Sequence, residues 1–128
     1  MNEIQNPKSE IQNPSQKEVR WFRVCKEDDL KPGQARSIML LARPYAVFNV
    51  GGKLFGIEAA CRHAKANLAA GKLEGNVVEC FMHGWRYDVT TGECLTESYG
   101  QVRTYPVKSE GGFVWIGMEW PPMSGSDN

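Results

Sequence analysis

Apolar residues in this chain come in short runs separated by glycine, proline and polar clusters, without the sustained three-to-four spacing of a long amphipathic helix. Val19 to Lys26, rich in β-branched and aromatic residues, predicts a strand that ends at Glu27-Asp28-Asp29 and Lys31-Pro32-Gly33. Gln34 to Ala42 predicts a second strand. Tyr45 to Val50, the pair Gly51-Gly52 and Lys53 to Ala59 predict a hairpin, because a two-residue turn needs positive φ and glycine supplies it. Ala64 to Ala70 predicts one helical turn, broken by Gly71 and Gly75, after which Asn76 to Phe81 returns as a strand. Arg86 to Val89, the turn Thr90-Thr91-Gly92-Glu93 and Cys94-Leu95 predict a small hairpin. Val102 to Lys108 and Phe113 to Met118, joined at Glu110-Gly111-Gly112, predict a closing one. Many short strands with glycine turns imply an all-β, antiparallel sandwich or barrel.

The two ends fall outside this pattern. Residues 1–18 carry a seven-residue repeat, Glu3-Ile4-Gln5-Asn6-Pro7-Lys8-Ser9 and then Glu10-Ile11-Gln12-Asn13-Pro14-Ser15-Gln16. One apolar residue and one proline per repeat cannot form a helical seam, so this stretch is expected to be a disordered leader. The domain is expected over 19–120, and residues 121–128, with Pro, Gly and Ser, as a mobile tail.

Composition narrows the function by exclusion. Lys plus Arg equal Asp plus Glu at 15 each, so there is no basic field for nucleic acid and no polybasic segment for a membrane surface. Apolar runs such as Ile38-Met39-Leu40-Leu41-Ala42 are too short to span a bilayer, and no export signal is present, so a cytoplasmic protein is expected. Four cysteines in such a chain are better assigned to metal or to strand interiors than to disulfides. Cys25 and Cys94 read as small strand residues.

The other two cysteines change the picture. The chain has two histidines, and each lies close to a cysteine, in Cys61-Arg62-His63 and in Cys80-Phe81-Met82-His83-Gly84-Trp85. Thiolate and imidazole together suit zinc, copper or iron and exclude oxygen-loving ions. Structural zinc sites usually take two cysteines from one tight turn. Here each unit offers one Cys and one His, an arrangement that can divide between two irons.

Cys61-x-His63 and Cys80-x-x-His83-Gly84-Trp85-x-Tyr87-Asp88 followed by Thr91-Gly92 resemble the Rieske iron-sulfur family, over residues 19 to 118. The resemblance implies an antiparallel β base with an inserted cluster-binding subdomain at about 60–95. It implies one [2Fe-2S] cluster, with Cys61 and Cys80 on one iron and His63 and His83 on the other. Two ferric irons, two sulfides, two thiolates and neutral imidazoles sum to zero charge. Such a cluster accepts an electron more readily than an all-cysteine one, within about −150 to +300 mV.

Respiratory members of the family carry a second pair of cysteines where this chain has Ala66 and Met82, and a sulfide-bonding serine where it has Trp85. Tyr87 stands at the family's sulfur-bonding tyrosine. With one donor lost, a potential at the low end is expected. Gly84 lets backbone N–H groups approach the cluster, or is a plain turn glycine. Trp85 shields the cluster from water or fills the core beneath it. Arg62, Lys65 and Arg86 either steer an acidic partner or form a solvated rim.

The function implied is that of a free-standing Rieske-type ferredoxin. It would be the electron-transport component of an oxidoreductase system, taking electrons from a reductase to an oxygenase or another terminal oxidoreductase, without catalysis of its own. The chain lacks a third histidine for a mononuclear iron domain and lacks a Gly-x-Gly-x-x-Gly nucleotide fingerprint. A tightly bound small subunit of a larger oxidoreductase is one alternative. A zinc-stabilised β module with a structural or interaction role is another. The prolines that soluble members place after the second cysteine and beyond the Thr-Gly turn are replaced here by Phe81 and by Thr96-Glu97-Ser98-Tyr99-Gly100-Gln101.

Overall fold

The segment Tyr45-Ala46-Val47-Phe48 offers an apolar side chain on both sides of the backbone, and a strand with that pattern must be covered on both faces. The structure, a computed structural model that describes residues 18–61, 66–82 and 84–120, covers it so. β3 (Arg43–Val50) lies inside a four-stranded sheet with β2 (Ala35–Leu40), β4 (Lys53–Glu58) and β8 (Thr104–Tyr105), in the order β2-β3-β4-β8. Tyr45 and Val47 face one side and meet Val114, Ile116 and Met118 of β10 (Phe113–Trp120). Ala46 and Phe48 face the other side and meet Ile57, Leu68, Val78 and Tyr87.

Two three-stranded sheets supply that cover. β1 (Glu18–Lys26), β10 and β9 (Val107–Glu110) pair in the order β1-β10-β9 over the first face. β5 (Lys72–Glu74), β6 (Val77–Glu79) and β7 (Arg86–Asp88) form the third sheet, on the side of the second face. Every pairing is antiparallel. Among the described residues there is no α-helix, only short 3₁₀ turns at Glu27–Asp29 and Leu68–Ala70, so the fold is all-β as expected. None of the described helical turns is long and apolar enough to cross a membrane.

Glycine turns are where the sequence is most explicit. Val50 pairs with Lys53 across Gly51 and Gly52, whose φ values of 60° and 100° suit glycine. The expected strand from Gln34 to Ala42 instead stops at Leu40, because Leu41 and Ala42 turn the chain with φ of 51° and 66°. The expected strand from Val102 to Lys108 is two strands in two sheets. Tyr105 pairs with Gly56 of β4, Val107 pairs with Ile116 of β10, and Pro106 between them has no N–H for either ladder. β5 was masked in the sequence by its flanking glycines. The leader up to residue 17, the start of the helical turn predicted from Ala64, and the tail from 121 lie outside the described residues.

Candidate metal centre

Each cysteine of the two motifs stands where a strand pair opens into a loop. β4 ends at Glu58, and Ala60 then bridges to Asn67 while the Cys61 N–H donates to the Ala66 carbonyl at 2.9 Å. These bonds close the base of the first loop, and the Asn67 side chain accepts from the Ala69 N–H at 2.9 Å to cap the 3₁₀ turn that follows. The second loop is the tip of the β6–β7 hairpin. Glu79 pairs with Arg86, the Cys80 N–H donates to the Trp85 carbonyl at 2.8 Å, and the Gly84 N–H donates to the Cys80 carbonyl at 3.0 Å. Gly84 holds φ at 79°, a conformation that side chains rarely adopt, and among the described residues the Glu79 carboxylate lies 3.4 Å from where a Cβ would stand. The positive φ by itself favours glycine at this position.

Both sulfurs are buried, Cys61 at 1% and Cys80 at 2% exposure, and both belong to the core that contains Leu68, Val78, Tyr87 and Val89. The Tyr87 hydroxyl lies 3.4 Å from Cys61 Sγ, within hydrogen-bonding range for sulfur. Two thiolates in so apolar a setting are costly without a compensating cation, and a soft metal supplies one. The donor set therefore fits an iron held through two cysteine sulfurs. His63 and His83 lie outside the described residues, as do Arg62 and Lys65, so the structure places the two cysteines in one core and leaves the two histidines unplaced. Arg86 is exposed on β7. Among the described residues, which include all four cysteines, there is no disulfide; Cys94 is buried and bridged through its backbone to Tyr87. Cys25 sits half-buried on β1, where burial pushes its thiol up from the ordinary value.

Trp85 packs, partly buried, against the core that holds both cysteines, and meets the Tyr99 ring edge-on at 5.8 Å between centroids. Phe81 and Met82 project from the tip of the second loop at 59% and 51% exposure.

Asp88, next to Tyr87 in the motif, fastens the hairpin below it. Its Oδ1 accepts from the Thr90 hydroxyl at 2.6 Å, the Thr90 N–H at 2.9 Å and the Asn76 amide at 3.0 Å. Burial alone would push this carboxyl up, but the bonds from Thr90, Asn76 and Thr91 prevail and hold it below the usual carboxylate value. The signal was present in the Asp88-x-Thr90 spacing, which is that of an Asx turn. Tyr99 had no such signal, because its partner Trp85 is set by the fold.

Residues 20–106 match the family described as Rieske [2Fe-2S] domain. The chain is 40% identical over 73 residues to ferredoxin CarAc of Metapseudomonas resinovorans, covering 56% of this chain and 68% of that protein. It is 32% identical over 93 residues to the ferredoxin component of the naphthalene 1,2-dioxygenase system of Pseudomonas putida, covering 72% and 89%. Among solved structures it is similar to a chain of the complex of reduced oxygenase and oxidized ferredoxin in carbazole 1,9a-dioxygenase. That match has a TM-score of 0.70 and 33% identity, over 75% of this chain and 91% of the other. With the motif, the loop architecture and these similarities in agreement, the chain belongs to the Rieske [2Fe-2S] domain family.

Proposed function

We infer that this chain is a Rieske-type ferredoxin, an electron carrier and not an enzyme, that works in the cytoplasm between a reductase and an oxygenase or another terminal oxidoreductase. The observation that carries this reading is the pair of buried cysteines, Cys61 and Cys80, at the mouths of two loops that share one core. Cys61 and Cys80 would hold one iron of a single [2Fe-2S] cluster, and His63 and His83 the other. When bound, that cluster accepts and releases one electron.

The protein's own groups do the rest. The Tyr87 hydroxyl donates toward Cys61 Sγ and steadies negative charge on that sulfur. Trp85 packs on the core around the cysteines and limits water there. Phe81 and Met82 give the loop end an apolar surface on which a redox partner can dock. The ferredoxin names of the relatives and the oxygenase complex of the structural neighbour support that partner class.

The test is an iron and acid-labile sulfide assay on anaerobically purified protein, with an EPR spectrum after dithionite reduction. Two irons and two sulfides per chain with a rhombic signal averaging below the free-electron value are expected. Zinc without sulfide or colour would remove electron transfer from the reading.

A further inference from the structure

Residues 95–102 are tied at one end to β7 of the hairpin that carries the second loop and at the other to the turn that follows β7. The Leu95 N–H donates to the Arg86 carbonyl at 2.7 Å, and the Arg86 N–H donates to Thr96 Oγ1 at 2.9 Å. At the far end the Val102 N–H donates to the Gly92 carbonyl at 2.8 Å. Between these anchors Tyr99 is 62% exposed, and its ring meets Trp85 at 5.8 Å with 64° between the planes. A ring so exposed gains little from its own burial, so its effect falls on Trp85. Trp85 in turn packs on the core that contains Cys61 and Cys80, and its carbonyl accepts the Cys80 N–H.

We propose that Tyr99 is a positioning residue for the metal centre, clamping Trp85 over the cysteine-bearing core so that water is kept from that side. The inference rests on reading Cys61 and Cys80 as cluster ligands and names a residue outside the family's motif. Reduction adds negative charge at the site, and water favours added charge. A side chain that excludes water therefore holds the reduction potential down and slows attack on the bound metal.

The experiment compares the full-length holoprotein with Tyr99→Phe, Tyr99→Leu and Tyr99→Ala. Each is assayed for iron and sulfide, for midpoint potential by spectroelectrochemistry, and for the rate at which EDTA bleaches its visible absorbance in air. Tyr99→Phe keeps the ring and is expected to match wild type. Tyr99→Ala is expected to show a higher potential and several-fold faster bleaching, with Tyr99→Leu in between and serving as the readout if Tyr99→Ala loads poorly. Unchanged potential and bleaching in the Leu and Ala variants would overturn the proposal, and so would faster bleaching at an unchanged potential, which marks a merely structural contact. Wild-type protein lacking iron and sulfide would instead remove the cluster reading, and this proposal with it.

Discussion

At the scale of single residues, the site depends on what surrounds the sulfurs. Tyr87 is fully buried, and its hydroxyl lies 3.4 Å from Cys61 Sγ, where it can donate to that sulfur as a thiolate. Tyr87→Phe removes it without changing the ring. A hydrogen bond of ordinary net strength, converted at 59 mV per tenfold for one electron, is worth about 20 to 65 mV. Only the part of the bond that strengthens on reduction counts, so the potential should fall by up to that amount with the EPR line shape retained, and an unchanged potential would show that the hydroxyl does not stabilise the reduced state. Asp88 makes a prediction in pH. Its carboxyl titrates lower in the folded protein than its ordinary value of 3.8, so the stability it gives is present above that value and is lost as pH falls through the lower folded one. Asp88→Asn should therefore melt below wild type at neutral pH, with the gap closing as the pH drops past about 4. A gap independent of pH would refute the assignment. Cys61 and Cys80 were legible as a pair because each stands within three residues of one of the chain's two histidines. Asp88 and Tyr99 were less so, because their partners are set by turn geometry and by a loop anchored at both ends.

At the scale of elements, legibility followed the chemistry of turns. Gly51-Gly52 and Gly111-Gly112 announced their hairpins because only glycine takes positive φ freely, and both hairpins stand in the structure. Leu41-Ala42 announced nothing. An apolar pair continues a strand pattern, and only the pairing of Leu40 with Arg43 reveals the turn. Pro106, inside the expected strand from Val102 to Lys108, marks where the chain leaves the middle sheet for the outer one, a step that depends on which partners lie on each side. The Leu41-Ala42 turn is also open to a test. Both residues hold left-handed φ, and Leu41 is 66% exposed, so neither repays the conformation by burial. Replacing the pair with Asn-Gly should stabilise the protein by about 1 kcal/mol and raise its melting temperature by roughly 4 °C or more. A lower melting temperature would mean that Leu41 or Ala42 makes contacts outweighing the strain.

At the scale of the whole molecule, β3 and β4 separate two cores with different duties. The core with Val47, Val114 and Ile116 joins the outer sheet to the middle one, while the core with Phe48, Ile57 and Ala59 continues directly into Cys61, Cys80 and Tyr87. A matched pair of substitutions can separate support of the fold from support of the site. Ile57 and Ile116 are both fully buried, and each lies in one of the two cores. Ile→Val at either position removes one methyl group and should cost about 0.5 to 1.5 kcal/mol, lowering the melting temperature by a few degrees in both. Bleaching of the visible absorbance by a chelator at 25 °C should then distinguish them. Ile57→Val loosens the layer on which the first cysteine loop stands and should lose colour faster than wild type. Ile116→Val, on the far side of the middle sheet, should bleach at the wild-type rate despite a similar loss of stability. Equal acceleration in both would mean that cluster retention follows global stability and that the middle sheet does not insulate the metal centre from the outer core.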